Sequence, residues 1–114
     1  MNPTELKGYF GEFIAVLLLK VKGYNIVARR YKTICGEIDI IASKRDTIVF
    51  IEVKSRKNLE KCHNAILARQ INRIIRASEI FLARNPKMHS TSIRYDVILV
   101  PDWSFPKHIE NISI

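Results

Sequence analysis

Apolar and polar positions along the first 22 residues repeat with a helical period. Phe10, Phe13, Ile14, Leu17 and Val21 share one stripe, Thr4 precedes it and Gly23 supplies a C-cap, so the pattern predicts a helix from Thr4 to about Lys22. A second row on the same helix, Gly8, Glu12, Ala15 and Leu19, is small and apolar apart from one acid, which implies a packed surface there as well. Tyr24 to Tyr31 then reads as a strand, Gly36 punctuates, and Glu37 to Ala42 alternates with period two. In that alternation Glu37, Asp39 and Ile41 face one way, and Ile38, Ile40 and Ala42 the other. A turn over Ser43 to Asp46 leads into a β-branched strand from Thr47 to Lys54, where Ile48, Phe50, Glu52 and Lys54 share a face.

The period returns to 3.6 over about Asn64 to Arg84. Leu67, Ile71, Ile74, Ile75, Ser78, Phe81 and Leu82 gather on one side of this second helix, and Arg69, Arg73 and Arg76 on the other. Asn85-Pro86 ends it, Ile93 to Val100 is a fourth strand, Pro101-Asp102 breaks that strand, and His108 to Ile114 is a short fifth. The order α-β-β-β-α-β-(β) predicts an α/β fold with a mixed central sheet flanked by helices.

A chain of 114 residues with no repeat, linker or low-complexity tract is expected to form a single domain over residues 1–114. The net charge is +8, and it is spread evenly. Residues 1–56 hold ten basic and six acidic side chains and residues 57–114 nine and five, so each half carries +4. A detachable basic tail is thereby excluded, and the folded surface itself must supply the positive field, which suits a polyanionic partner. The longest apolar run, Phe13 to Leu19, is too short to span a bilayer and has Glu12 where a leader would need a cation. The expectation is a cytoplasmic protein with no membrane partner. Cys35 and Cys62 stand far apart, and Cys62-His63 is adjacent rather than spaced for chelation, so neither a disulfide framework nor a zinc site is expected.

Acids appear where strands should be apolar. Glu37 and Asp39 lie two residues apart in one strand, as do Glu52 and Lys54 in the next, and each pair has α-carbons about 6.6 Å apart on one face. A hairpin register that sets Asp39 beside Glu52 brings two carboxylates into repulsion. A divalent cation relieves it, and hard oxygen ligands without His or Cys favour Mg²⁺ or Mn²⁺. Lys54, on the face of Glu52, is placed to orient water or to offset charge on a phosphoryl oxygen. The bland alternative is a solvated strand face, against which Ile48 and Phe50 on that same face argue. Glu12 is costly in its packed row unless it meets a metal or a base such as Arg29 or Lys32. Tyr9, Tyr24, Tyr31 and Trp103 suit base stacking, but packing is their commoner use.

These residues carry a resemblance. Gly8-Tyr-Phe-Gly-Glu-Phe-Ile-Ala15, Gly36-Glu-Ile-Asp-Ile-Ile-Ala42, Val49-Phe-Ile-Glu-Val-Lys-Ser-Arg56, Arg94-Tyr-Asp-Val97 and His108-Ile-Glu-Asn111 resemble the YraN-like family of endonuclease-like proteins in the family's order. More distantly the chain is similar to archaeal Holliday junction resolvases of the restriction-endonuclease-like superfamily. That resemblance implies an α-β-β-β-α-β nuclease core with a PD-(D/E)xK signature on Asp39, Glu52 and Lys54, and an acid of the first helix at Glu12. Ile38 stands where the signature has proline, and Lys57-Asn-Leu-Glu60 replaces the Gly and Phe common after Arg56. Its implied metal ligands are Asp39, Glu52 and the carbonyl of Val53. Gln70 matches a glutamine that related nucleases place after the lysine strand, and with Arg56, Arg69, Arg73 and Arg76 it makes up the expected nucleic-acid-binding set. Two functions follow: a Mg²⁺- or Mn²⁺-dependent endonuclease acting on DNA, with branched DNA in view, or an accessory protein that binds nucleic acid with an idle site. The small size favours a homodimer or a protein partner in either case.

Overall fold

Asn2 starts the first helix. Its side-chain oxygen accepts from the Glu5 N–H at 2.8 Å, so helix α1 runs Pro3–Val21 and Thr4 lies inside its first turn. The helix ends in a Schellman motif, with the N–H groups of Gly23 and Tyr24 donating to the carbonyls of Lys20 and Leu19. Gly23 takes φ 89°, a conformation that needs a residue without a Cβ. The structure is a computed structural model that describes residues 1–88 and 92–112.

Strands β1 (Asn25–Thr33), β2 (Gly36–Lys44) and β3 (Thr47–Arg56) follow as an antiparallel meander. Helices α2 (Leu59–Asn64) and α3 (Ala68–Arg84) and a 3₁₀ turn (Pro86–Met88) then cross over to β4 (Ser92–Pro101), which pairs parallel to β3, and β5 (Lys107–Ile109) closes antiparallel against β4. The sheet order is β1-β2-β3-β4-β5. This is the mixed, helix-flanked α/β sheet that the alternation of periods predicts. The expected fifth strand over His108 to Ile114 is shorter than its pattern: β5 ends at Ile109, Glu110 to Ile112 are not strand, and residues 113 and 114 lie outside the described residues.

The sheet separates two cores. Ile71, Ile74, Ala77 and Phe81 of α3 cover Ile41, Phe50 and Leu99 on one face. On the other, Ala15, Val16 and Leu19 of α1 cover Ile40, Val49, Ile51 and Ile98. Full burial of a side chain such as Leu19 contributes about 1.5–3 kcal/mol.

Three further sequence expectations are corrected. The helix expected from Asn64 starts later, at Ala68, and a separate short helix, Leu59–Asn64, precedes it. Asn58 caps α2 early by accepting from the Lys61 N–H, and Leu67 is extended (φ −117°, ψ 135°) at the start of α3. The apolar stripe of α1 does not face the core: Phe10, Phe13, Leu17 and Val21 are exposed, and the row Gly11, Glu12, Ala15, Leu19 is buried. Small residues win the inward face because they allow close approach. A Cβ on Gly11 would stand 2.9 Å from the Ser55 Cβ of β3. Finally, the alternation of β2 breaks at Asp39, because Ile38 joins the α3 core and Ile40 the α1 core.

Buried Asp96 of β4 clasps the C-terminal segment. It accepts from Arg94 Nε and Nη2 at 2.9 Å each, pairs with His108 Nε2 at 2.7 Å and accepts from the Asn111 N–H at 2.9 Å. Burial alone would raise its carboxyl, and the hydrogen bonds from His108, Arg94 and Asn111 bring it below the ordinary range instead.

Candidate active site

The β2–β3 ladder runs from Lys44↔Thr47 to Ile40↔Ile51 and stops there. The next step would set Asp39 opposite Glu52. Instead the Asp39 Oδ2 accepts the Val53 N–H at 2.8 Å, so a side chain takes the place of a backbone partner and the strands fork. In the fork the Asp39 carboxyl lies within reach of the Glu52 charge. Glu52 and Val53 point to opposite faces of β3, yet both line one cleft of about 630 Å³ together with Glu12, Asp39, Ser55 and Arg56.

Across from Asp39, the β1–β2 ladder skips Arg30 between Arg29↔Ile40 and Tyr31↔Ile38. Arg30 takes φ 52°, left-handed backbone that costs a residue with a Cβ roughly 1–2 kcal/mol. The strain is offset by what it permits. Arg30 Nη2 donates to Glu12 Oε2 at 2.6 Å, and the guanidinium lies 3.6 Å from the centre of the Tyr9 ring. The partner of Glu12 is therefore Arg30 and not Arg29 or Lys32. The other Glu12 oxygen, Oε1, is buried with no hydrogen-bond partner.

Burial first, and then the Glu52 charge, push the Asp39 carboxyl up to about 8, against the pull of the Val53 N–H. Glu52 is also raised by burial, although Lys54 pulls it down. Lys54 Nζ lies 3.2 Å from Glu52 Oε1 and the residue is only 6% exposed, outside the lining of the cleft. The site thus sets two carboxyls together with a single buried cation beside one of them, an arrangement that resists carrying both negative charges at once. Among the described residues no group of three or more His, Cys, Asp or Glu side chains is arranged to hold a metal ion.

The remaining expected residues divide. Arg56 lines the cleft, and so does Lys57, which the sequence did not single out. Arg69, Arg73 and Arg76 are exposed on α3, which packs on the sheet face away from α1, and none of them lines the cleft. Gln70 does not line it either; its Oε1 is buried without a partner. Tyr24 is buried, Tyr31 packs edge-on against Phe81, and Trp103 is wholly exposed. Cys35 and Cys62 are free thiols.

Residues 11–100, which include Glu12, the fork and Lys54, match the model of Uncharacterised protein family UPF0102. The chain belongs to that family. A UPF0102 protein of Sinorhizobium medicae (strain WSM419) is 43% identical over 103 residues, covering 90% of this chain and 84% of its own length. One of Rhodopseudomonas palustris (strain HaA2) is 44% identical over 102 residues, covering 90% of this chain and 80% of its own. These names state a family and no activity. Among solved structures, Pyrococcus furiosus SfsA in complex with Ca²⁺ is similar at a TM-score of 0.40 and 16% identity, covering 97% of this chain and 65% of that one. In this UPF0102 chain no helix among the described residues is long and apolar enough to cross a membrane.

Proposed function

We propose that this UPF0102 protein is a divalent-metal-dependent phosphodiesterase of the PD-(D/E)xK type that cuts nucleic acid, with DNA as its substrate and branched DNA as the first class to try. The observation that carries this reading is the fork: the Asp39 side chain takes the Val53 N–H in place of a ladder partner and stands beside Glu52, where both carboxyls are held above their ordinary range. Proteins keep such pairs where a cation resolves them or a proton must be moved.

The donors fit a hard ion. Asp39, Glu52 and the Val53 carbonyl offer oxygen only, and Mg²⁺ is commonly held by one or two carboxylates with waters completing its shell. The unpartnered Glu12 Oε1 on the same cleft supports that fit, as an acceptor for a water of the ion. When bound, the ion supplies Lewis-acid polarisation of the phosphate and a more acidic water. The chain's own residues do the rest. Arg30 fixes Glu12 so that one oxygen stays free, Lys54 holds Glu52 and offsets charge on the attacked phosphate, and Arg56 and Lys57 offer phosphate contacts at the mouth.

A second reading has its own support. Lys54 is buried against Glu52, and the ligand set is incomplete without waters, as expected of an accessory protein that binds nucleic acid over an idle site. A cleavage screen with Mn²⁺ over linear, flapped, single-stranded and four-way DNA and RNA separates the two. Cutting that disappears with chelator supports the enzyme; tight binding with no cutting of any substrate gives the accessory role.

The basic stripe of α3 is tested apart from the chemistry. Replacing Arg69, Arg73 and Arg76 together by Ala is expected to flatten the slope of log affinity against log salt by about 2–3, at about 0.9 per phosphate contact. An unchanged slope and affinity would leave the grip to Arg56, Lys57 and the cleft.

A further inference from the structure

The outer face of α1 is apolar and open. Phe10 is 62% exposed and Val21 85%, with Leu6, Phe13 and Leu17 between 47% and 60%. Phe10 and Ile14 continue this face into a groove walled by Trp103 and Phe105, both of them almost wholly exposed. At about 150–250 Å² for each aromatic ring, this surface exposes on the order of 900 Å² of apolar side chain. The largest apolar patch of a typical monomer is about 300–600 Å², and one side of a standard protein interface is about 800 Å².

We infer that this face is the interface of a homodimer in which two copies of α1 pack antiparallel about a two-fold axis beside Phe13 and Ile14. Two features point to a second copy rather than to another partner. The first is charge. Between Lys7 and Lys20 the helix carries a single charged residue, Glu12, which is buried inward on Arg30, and Lys7 is paired with Asp102. Two basic chains can therefore meet on this face without setting like charges against each other, whereas a nucleic acid would find little to pair with.

The second is spacing. Leu6, Phe10 and Phe13 run forward at intervals of four and three; Val21, Leu17 and Ile14 run backward at the same intervals. An antiparallel copy accordingly sets Leu6 against Val21, Phe10 against Leu17 and Phe13 against Ile14, each contact made twice. That self-complementarity is what an isologous interface requires. Helix α1 also carries Glu12 into the cleft, so the two-fold axis would fix the distance between two clefts. The inference itself does not rest on the proposed reaction and holds for an idle site as well.

Sedimentation of the full chain at micromolar concentrations is expected to give twice the 13.2 kDa chain mass. Phe13→Glu places two charges at the axis and should raise the dimer dissociation constant roughly 10²-fold or more while leaving the circular dichroism spectrum unchanged, because Phe13 is not in the core. In a Cys35→Ser background, oxidation should cross-link the double variant Phe10→Cys/Leu17→Cys and leave Phe10→Cys alone monomeric on denaturing gels. A wild type that stays at the chain mass at every concentration overturns the inference. So does a dimer that Phe13→Glu leaves intact, or a Phe10→Cys single variant that cross-links as well as the double. Binding of anionic vesicles or single-stranded DNA by this face in a monomeric protein would overturn it too.

Discussion

Asp39→Asn is expected to abolish metal-dependent cleavage and, at the same time, to make the metal-free protein more stable. The first effect follows from loss of a ligand charge. Cleavage should fall roughly 10³-fold or more, which at 1.36 kcal/mol per decade is about 4 kcal/mol of transition-state stabilisation. DNA binding should persist or tighten, because a negative charge has left the cleft. The second effect follows from the folded-state carboxyl, which burial and Glu52 hold at about 8, far above its unfolded value. A carboxyl shifted in that direction supports the fold fully below about pH 4, and its support is lost as pH rises through about 8. The amide that replaces the carboxyl would keep an oxygen for the Val53 N–H and offer a donor to Glu52 with no charge at any pH. In chelator, then, the variant should melt higher than wild type above neutrality, by on the order of 2 kcal/mol or several degrees, and the two should converge in acid. Mn²⁺ should raise the wild-type melting temperature and leave the variant's unchanged. A variant that still cuts as wild type does would move the site away from the fork; one that melts lower in chelator would mean that the carboxylate pair is a structural asset.

Most of this site is legible in the chain because the fork is made by neighbours in sequence. Asp39 and Glu52 flank one turn, so a hairpin brings them together whatever the rest of the fold does, and two acids in otherwise apolar strands mark the place. Glu12 is legible for the same reason, as an acid in a packed row. The identity of its partner is not, since Arg30 reaches it only through a left-handed φ at a residue with a Cβ, and no periodicity encodes that. Asp96 carries the same mark as Glu12, an acid beside the apolar run Val97 to Val100, and that signal points to the clasp with Arg94 and His108.

The face of α1 departs from its periodicity for a physical reason. Hydrophobic period picks the stripe with the larger side chains, but a helix is drawn against a sheet by the residues that allow approach. Gly11 and Ala15 let the backbone settle on Ser55 and its neighbours, and the bulky stripe is left outside. A stripe left outside is then a statement about association and not about the core. The start of α3 is hidden because Leu67, the extended residue before it, keeps a helical interval with Ile71, while α2 and its capping Asn58 lie upstream of the apolar pattern.

Lys54 offers the opposite test to Asp39. It is the one basic side chain paired with Glu52 among the described residues, at 3.2 Å, and it is buried. Lys54→Met keeps much of the stem and removes the charge. Glu52 is then left beside Asp39 with no cation, and breaking a buried pair in this way costs about 3–5 kcal/mol. The metal-free variant should therefore melt well below wild type near neutral pH, where Asp39→Asn melts above it, and Mn²⁺ should recover part of the loss by standing in for the missing charge. Because no ligand oxygen has been removed, metal binding should survive, seen as a Mn²⁺-dependent rise in melting temperature. Cleavage should nonetheless fall roughly 10²–10⁴-fold, the range expected when a group that handles a proton or offsets developing charge is lost. Lys54→Arg should restore stability before it restores rate, since a guanidinium can pair with Glu52 but brings a fork of donors to a space shaped for an ammonium. If Lys54→Met is destabilised and cuts at the wild-type rate once Mn²⁺ has restored its fold, Lys54 serves Glu52 alone, and the charge that meets the phosphate must come from Arg56 or Lys57 at the mouth of the cleft.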